Sequence, residues 1–128
     1  MTFVDTNVFM YAVGLSHPLK APSRKFFADC FERDQLLVTS VEVLQELLHA
    51  YLPVNRLSTL DAAFTLVESC VHEVWSLEPA DVQFARTLIS RYAHLTARDL
   101  LHVACCKRRD ISQVKTFDQK LAAVFSSR

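Results

Sequence analysis

The chain has 128 residues, 51% of them hydrophobic, and its 14 basic and 14 acidic side chains cancel to a formal net charge of zero. This length fits one domain, large enough to bury about two thirds of its unfolded surface, and the composition excludes a disordered chain. The charge balance excludes a bulk polycation, so any nucleic-acid binding has to come from a local patch.

The first predicted elements are a short strand at Phe3-Val4 and a buried helix starting in the run Val8 to Ala12. Asp5, Thr6 and Asn7 lie at their junction, where short polar side chains can bond exposed backbone N–H groups. Residues 14–22 read as a loop, with the only glycine and two prolines. A helix is predicted from Ser23 to Arg33, then a buried strand at Leu36-Leu37-Val38. Thr39 or Ser40 caps a helix from Val41 to Leu52, which stops before Pro53. Glu42 and Glu46 share a face of that helix. Its two apolar stripes predict an element buried on both sides. Another helix is predicted over Thr59–Val71 and a third strand over Glu73–Leu77. Glu78-Pro79 opens a helix with Val82, Ala85, Leu88, Ile89 and Tyr92 on its buried side. Thr96-Ala97-Arg98-Asp99 has the form of a capping box. The apolar helix it opens ends in Lys107, Arg108 and Arg109, cations suited to a helix C-terminus. A fourth strand is predicted over Gln113–Phe117, and Asp118 opens a last helix through about Phe125.

Strands alternating with helices, without tight hairpins, indicate a single α/β domain over residues 1–128 with a central parallel sheet. Cys30, Cys70, Cys105 and Cys106 lack metal-finger spacing, and no apolar run approaches the ~18 residues of a membrane span. The expectation is a cytoplasmic protein without a membrane partner.

In open α/β sheets, sites form outside the carboxyl ends of the strands. Asp5 and Asp118 fall at such ends, and Glu46 and Asp99 lie on helices that follow strand-to-helix turns. Carboxylates converging on one crevice repel unless they are protonated or hold cations. Oxygen donors favour Mg²⁺ or Mn²⁺, and such ions serve phosphodiester hydrolysis. Each acid also has a purely structural explanation: Asp5 and Asp118 as helix caps, Asp99 in a capping box, Glu46 in an ion pair. Glu42 rivals Glu46.

Val4-Asp5-Thr6-Asn7, Thr39-Ser40 with Glu46, Ala97 to Ala104 and Thr116-Phe117-Asp118, in that order, resemble the PIN domain, and within it the VapC-type toxins of toxin–antitoxin pairs. The resemblance implies a sheet of four to five strands flanked by helices and a metal-dependent endoribonuclease acting on single-stranded RNA. It implies Asp5, Glu46 and Asp99 as principal metal-binding acids and Asp118 as the fourth. Asn7 and Thr116 match polar residues beside those acids, with a steering role by hydrogen bonds. It further implies a homodimer and a small antitoxin partner. The family's usual final strand is barely present.

Two other readings compete. Glu46-x-x-His49 and Asp99-x-x-His102 place a carboxylate and an imidazole on one helical face, as in half of a di-iron bundle, although strand-like segments interrupt the helices. Otherwise His102 reads as a core residue or a support for the site. The second alternative is a catalytically silent RNA- or protein-binding module. Lys20, Arg24, Lys25 and Lys107 to Arg109 would supply its phosphate-tracking patch, and Arg98, beside Asp99, is the cation expected nearest to substrate.

Overall fold

The computed structural model describes residues 1–126. Its centre is β1 (Thr2–Val4), three residues buried on both sides. Burial on both faces explains why the adjacent Phe3 and Val4 are both apolar, without alternation, as in parallel strands covered by helices. β1 pairs in parallel with β2 (Leu37–Ser40) and with β4 (Gln113–Lys115), and β2 pairs with β3 (Glu73–Trp75). The sheet order is β3-β2-β1-β4. Four strands form among the described residues, the lower of the numbers expected, and residues 127 and 128 lie outside them.

Among the described residues seven helices flank the sheet: α1 (Thr6–Val13), α2 (Lys20–Glu32), α3 (Val41–Tyr51), α4 (Leu57–Cys70), α5 (Pro79–Thr87), α6 (Ala97–Arg108) and α7 (Gln119–Ser126). α2 starts earlier than the sequence predicts. Pro22 falls in its first turn, where the missing N–H would have no helical partner. β3 is shorter than expected, because Ser76 and Leu77 lead out to the start of α5.

With a single glycine in the chain, helix exits fall to other residues. Asp34, Asn55 and Asp110 take positive φ of 53°, 55° and 57°, a conformation that Asn and Asp tolerate better than other side chains. After α2, Gln35 N–H donates to Cys30 O and Asp34 N–H to Phe31 O; after α6, Ile111 and Asp110 repeat the pattern onto Cys106 and Lys107. Both are Schellman closures, which satisfy the last carbonyls of a helix.

The larger core gathers Phe3, Val4, Val8, Phe9, Phe27, Val38, Val43, Leu47 and their neighbours. A smaller one joins α5, α6 and α7 through Leu88, Leu100, Val103, Ala104 and Leu121. Two expected burials fail. On α3 only the Val43–Leu47–Tyr51 stripe is buried, while Val41 and Leu48 of the other stripe are exposed. Val82 on α5 and Ile89 just after it are exposed as well, since the fully buried Asp81 and the C-cap Leu88 are the residues turned inward.

Asp81 is the polar knot of this half. It accepts from Arg108 (2.6 Å), from both terminal nitrogens of Arg109 (2.8 and 3.1 Å) and from the Glu78 backbone N–H (2.9 Å). Arg109 also lies over the Trp75 ring. The knot ties the start of α5 to the end of α6.

Candidate active site

The carboxyl ends of β1 and β4 lie side by side, and the site grows from them. Asp5 follows β1 directly as the N-cap of α1, with its Oδ1 accepting from the Thr6 N–H at 2.7 Å. Its own N–H bonds to Lys115 O at the end of β4. The capping role and a place in the site are therefore the same placement. Oδ2 accepts from the Thr116 hydroxyl at 2.7 Å, and that hydroxyl accepts in turn from Asn7 Nδ2 and the Asp118 N–H. Asn7 Oδ1 closes the circuit on the Phe117 N–H. Thr116 and Asn7 thus fasten the turn after β4 to the turn after β1.

Glu46 enters from α3, which follows β2 without a loop. Its Oε1 accepts from the Thr6 hydroxyl and lies 3.1 Å from His102 Nε2. His102 enters from α6, packs its ring on Phe3, and stands 3.6 Å from Asp5 Oδ1. Asp5, Glu46 and His102 each offer a ligand atom, and these atoms lie within 4.8 Å of one another. It is Glu46, not Glu42, that makes these contacts. Asp99, whose N–H is capped by Thr96, lies outside this close group, but its charge reaches His102. Asp118 also lies outside it, capping α7 through Oδ1 to the Lys120 N–H.

The electrostatics of the group are coupled. Burial pushes the Asp5 carboxyl above its usual range, and His102 and the bonds from Thr116 and Thr6 only partly offset this. For Glu46 burial is again the largest effect, but the bond and charge of His102 outweigh it and hold the carboxyl low. For His102 burial favours the neutral ring, yet Glu46, Asp5 and Asp99 together keep its pKa above the ordinary value. With Nε2–H directed at Glu46, Nδ1 is left buried with no hydrogen-bond partner among the described residues. A buried carboxylate whose compensation is incomplete is where a cation lowers the energy. Two carboxylates beside the hydroxyls of Thr6 and Thr116 form an oxygen-rich donor set, which fits a hard divalent ion.

Sequence reasoning named Thr6 at the Asp5 junction without a role toward Glu46, and read His102 as a core residue or a support for the site rather than a member of the close group. The signal for His102 was the Asp99-x-x-His102 spacing, which puts it one turn along the same face. The di-iron bundle fails on the four-stranded sheet, and His49 is exposed. Most of the expected basic patch has other work. Lys20 and Arg24 donate to Gly14 O and Ala12 O, Lys25 pairs with Asp29, and Arg108 and Arg109 hold Asp81. Arg98 is exposed and acts electrostatically on Glu42 and Glu46.

A family model for the PIN domain matches residues 2–125. The chain belongs to the PIN domain family. This PIN domain is 58% identical to ribonuclease VapC23 of Mycobacterium tuberculosis over 127 residues, covering 99% of this chain and all of that one. It is 39% identical to ribonuclease VapC13 of the same organism, covering 93% of this chain and 91% of that one. Among solved structures it resembles M. tuberculosis VapC20, described as a sarcin-ricin loop cleaving toxin. The TM-score is 0.80 at 17% identity, over 97% of this chain and 95% of that one. VapBC2 of Rickettsia felis, solved with a promoter DNA fragment, gives a TM-score of 0.68 at 14% identity, over 95% and 91% of the two chains. At these identities the structural likeness is one of fold.

Proposed function

We propose that this PIN domain is a Mg²⁺- or Mn²⁺-dependent endoribonuclease, the toxin of a toxin–antitoxin pair, working in the cytoplasm. The observation that carries the reading is the Asp5–Glu46–His102 group at the carboxyl edge of the sheet, with Asp99 and Asp118 around it. It is supported by relatives named as VapC ribonucleases that align over nearly the whole chain.

Asp5 and Glu46 would hold the ion, with Asp99 and Asp118 completing the acidic shell. A bound divalent ion supplies charge for the phosphate oxygens and lowers the pKa of a water. The chain's own residues do the positioning. Thr116 and the Thr6 N–H fix both oxygens of Asp5, while Thr6 and His102 fix Glu46. Asn7 holds the Thr116 turn in register. Such outer hydrogen bonds set ligand orientation at metal sites. Arg98, exposed beside the acids, is positioned to meet the RNA backbone.

An antitoxin and a second copy of the chain are the expected protein partners. The apolar side chains left exposed on α3 (Val41, Leu48), on α5 (Val82) and just after it (Ile89) support partnered surfaces.

The test is cleavage of a mixed RNA pool by purified wild type and Asp5→Asn, with Mg²⁺, with Mn²⁺ and with EDTA. Cutting by wild type in either metal, abolished by EDTA and by Asp5→Asn, is the expected result. Two folded proteins that both bind RNA and leave it intact would favour the silent binding module. Cutting that survives Asp5→Asn would remove Asp5 from the site.

A further inference from the structure

One side of α1 leads away from the site as the floor of an open groove. Asn7, Met10 and Tyr11 recur at helical spacing, so they share a face. With His17, Tyr51 and Arg56 they line a volume of about 290 Å³, the small end of the range for ligand clefts. The groove starts inside the hydrogen-bond circuit of the site, because Asn7 bonds Thr116 and Thr116 bonds Asp5.

Farther along are two rings. Tyr11 and His17 stand 4.5 Å apart between centroids, with 30° between their planes. Phe117, from the turn that carries Thr116, braces Tyr11 edge-on at 5.7 Å. His17 is held by the Leu19 N–H donating to its Nδ1 at 3.0 Å. Arg56 lies 5.8 Å over the Tyr51 ring. Its one side-chain hydrogen bond among the described residues goes to Thr59, at 3.3 Å. One groove therefore combines an aromatic platform, an apolar floor at Met10 and a guanidinium with donors to spare.

We propose that this groove seats the nucleotide next to the cleaved phosphate of a single-stranded RNA, with its base against Tyr11 and His17 and its phosphate at Arg56. The inference rests on RNA being the substrate of the Asp5 site. Unpaired bases are recognised by stacking on Tyr and His rings and on guanidinium planes. A base inside a duplex is stacked on both faces by its neighbours, so the groove selects unpaired RNA. A helical run from Asn7 to Gly14 covers roughly 10 Å, enough to carry the strand from the reacting phosphate to the ring pair. If the rings served only to brace the loop after α1, RNA affinity would be indifferent to the base.

The experiment uses the full chain carrying Asp5→Asn, with Mg²⁺, titrated with short fluorescent uridine-only and adenosine-only RNA strands. The same strands with one abasic position, scanned along the length, provide the comparison. At one position, loss of the base is expected to weaken binding at least about fivefold. Adding His17→Ala or Tyr11→Leu should erase that difference, so that intact and abasic strands bind alike. His17 is exposed, so His17→Ala leaves the fold intact even where Tyr11→Leu lowers the melting temperature. An abasic penalty that persists in folded His17→Ala and Tyr11→Leu chains, or no penalty at any position, overturns the groove assignment and leaves the nuclease reading standing. Failure of every chain to bind RNA, with no cleavage by wild type, overturns both.

Discussion

Thr116 shows how much a single hydroxyl can organise. It donates to Asp5 and accepts from Asn7 and from the Asp118 N–H, so Thr116→Val would keep the shape and remove all three bonds. Losses of about 10- to 100-fold are typical when such outer partners of metal ligands are removed. That is the expected fall in cleavage rate, measured beside wild type at saturating Mg²⁺. Asp81 makes a separate prediction about stability. Burial alone would raise its pKa, but the bonds from Arg109, Glu78 and Arg108 outweigh it and hold the carboxyl well below the usual range. A depressed folded-state pKa contributes stability above the unfolded value, and that contribution fades as pH falls toward the folded one. Asp81→Asn should therefore cost about 3 kcal/mol at neutral pH, the low end for breaking a buried pair because both guanidiniums keep some contact with solvent. The gap to wild type should close progressively below about pH 4, as read from urea midpoints across the range. The sequence marked Asn7 and Thr116 beside the site acids, but neither Asp81 nor its pairing with the two arginines. Arg108 and Arg109 looked like cations at a helix end, and nothing local to residues 107–109 announces a carboxylate on another helix.

At the scale of elements, most boundaries were legible because their signals are local. Glu78-Pro79 opens α5 with a capping box completed by Asp81, and Thr96 caps α6 by accepting from the Asp99 N–H. What periodicity could not supply was which apolar stripe faces a neighbour. Val82 and Ile89 have the right spacing for burial yet lie exposed, since the packing partner, not the pattern, selects the face. Ser40 stands at the N-cap of α3 but its hydroxyl makes no capping bond, while Thr39 donates to Val4 O at 2.9 Å and ties β2 to β1. The helix exits give the prediction for this scale. Asp34 holds a left-handed conformation that costs most L-residues about 1–2 kcal/mol. Asp34 is exposed, and its carboxylate makes no ion pair among those described. Asp34→Gly is expected to raise stability by about 0.5–1 kcal/mol, measured by denaturant unfolding, with cleavage unchanged. A drop in stability would show that the entropy gained by the unfolded chain outweighs the relief of strain.

At the scale of the molecule, the alternation of strands and helices made the parallel sheet readable, but not the order β3-β2-β1-β4. That order places the first strand between the second and the last, so the site is shared among α1, α3, α6 and the turn after β4. A ligand held at such a junction stabilises the whole fold rather than one loop, by mass action on the native state. Millimolar Mg²⁺ is expected to raise the melting temperature of wild type, by the equivalent of about 1–3 kcal/mol when it exceeds the dissociation constant by one to two decades. Asp5→Asn should melt at the same temperature with and without the ion. Equal shifts in the two proteins would place the binding elsewhere.

The pairing of β1 with β4 also has a consequence for how the protein comes into being. Asp5 and Thr116 are 111 residues apart, and Val4 finds its partner Lys115 only across that distance. A chain leaving the ribosome presents Asp5 well before Glu46 and His102, and the hydroxyl that fixes Asp5 emerges only 111 residues after it. Until then β1 has one edge open and the carboxylate is unheld. The ability to cut RNA is thus deferred until β4 and Thr116 have emerged: a nascent chain carries its acids past the machinery that makes it before they are assembled into a site.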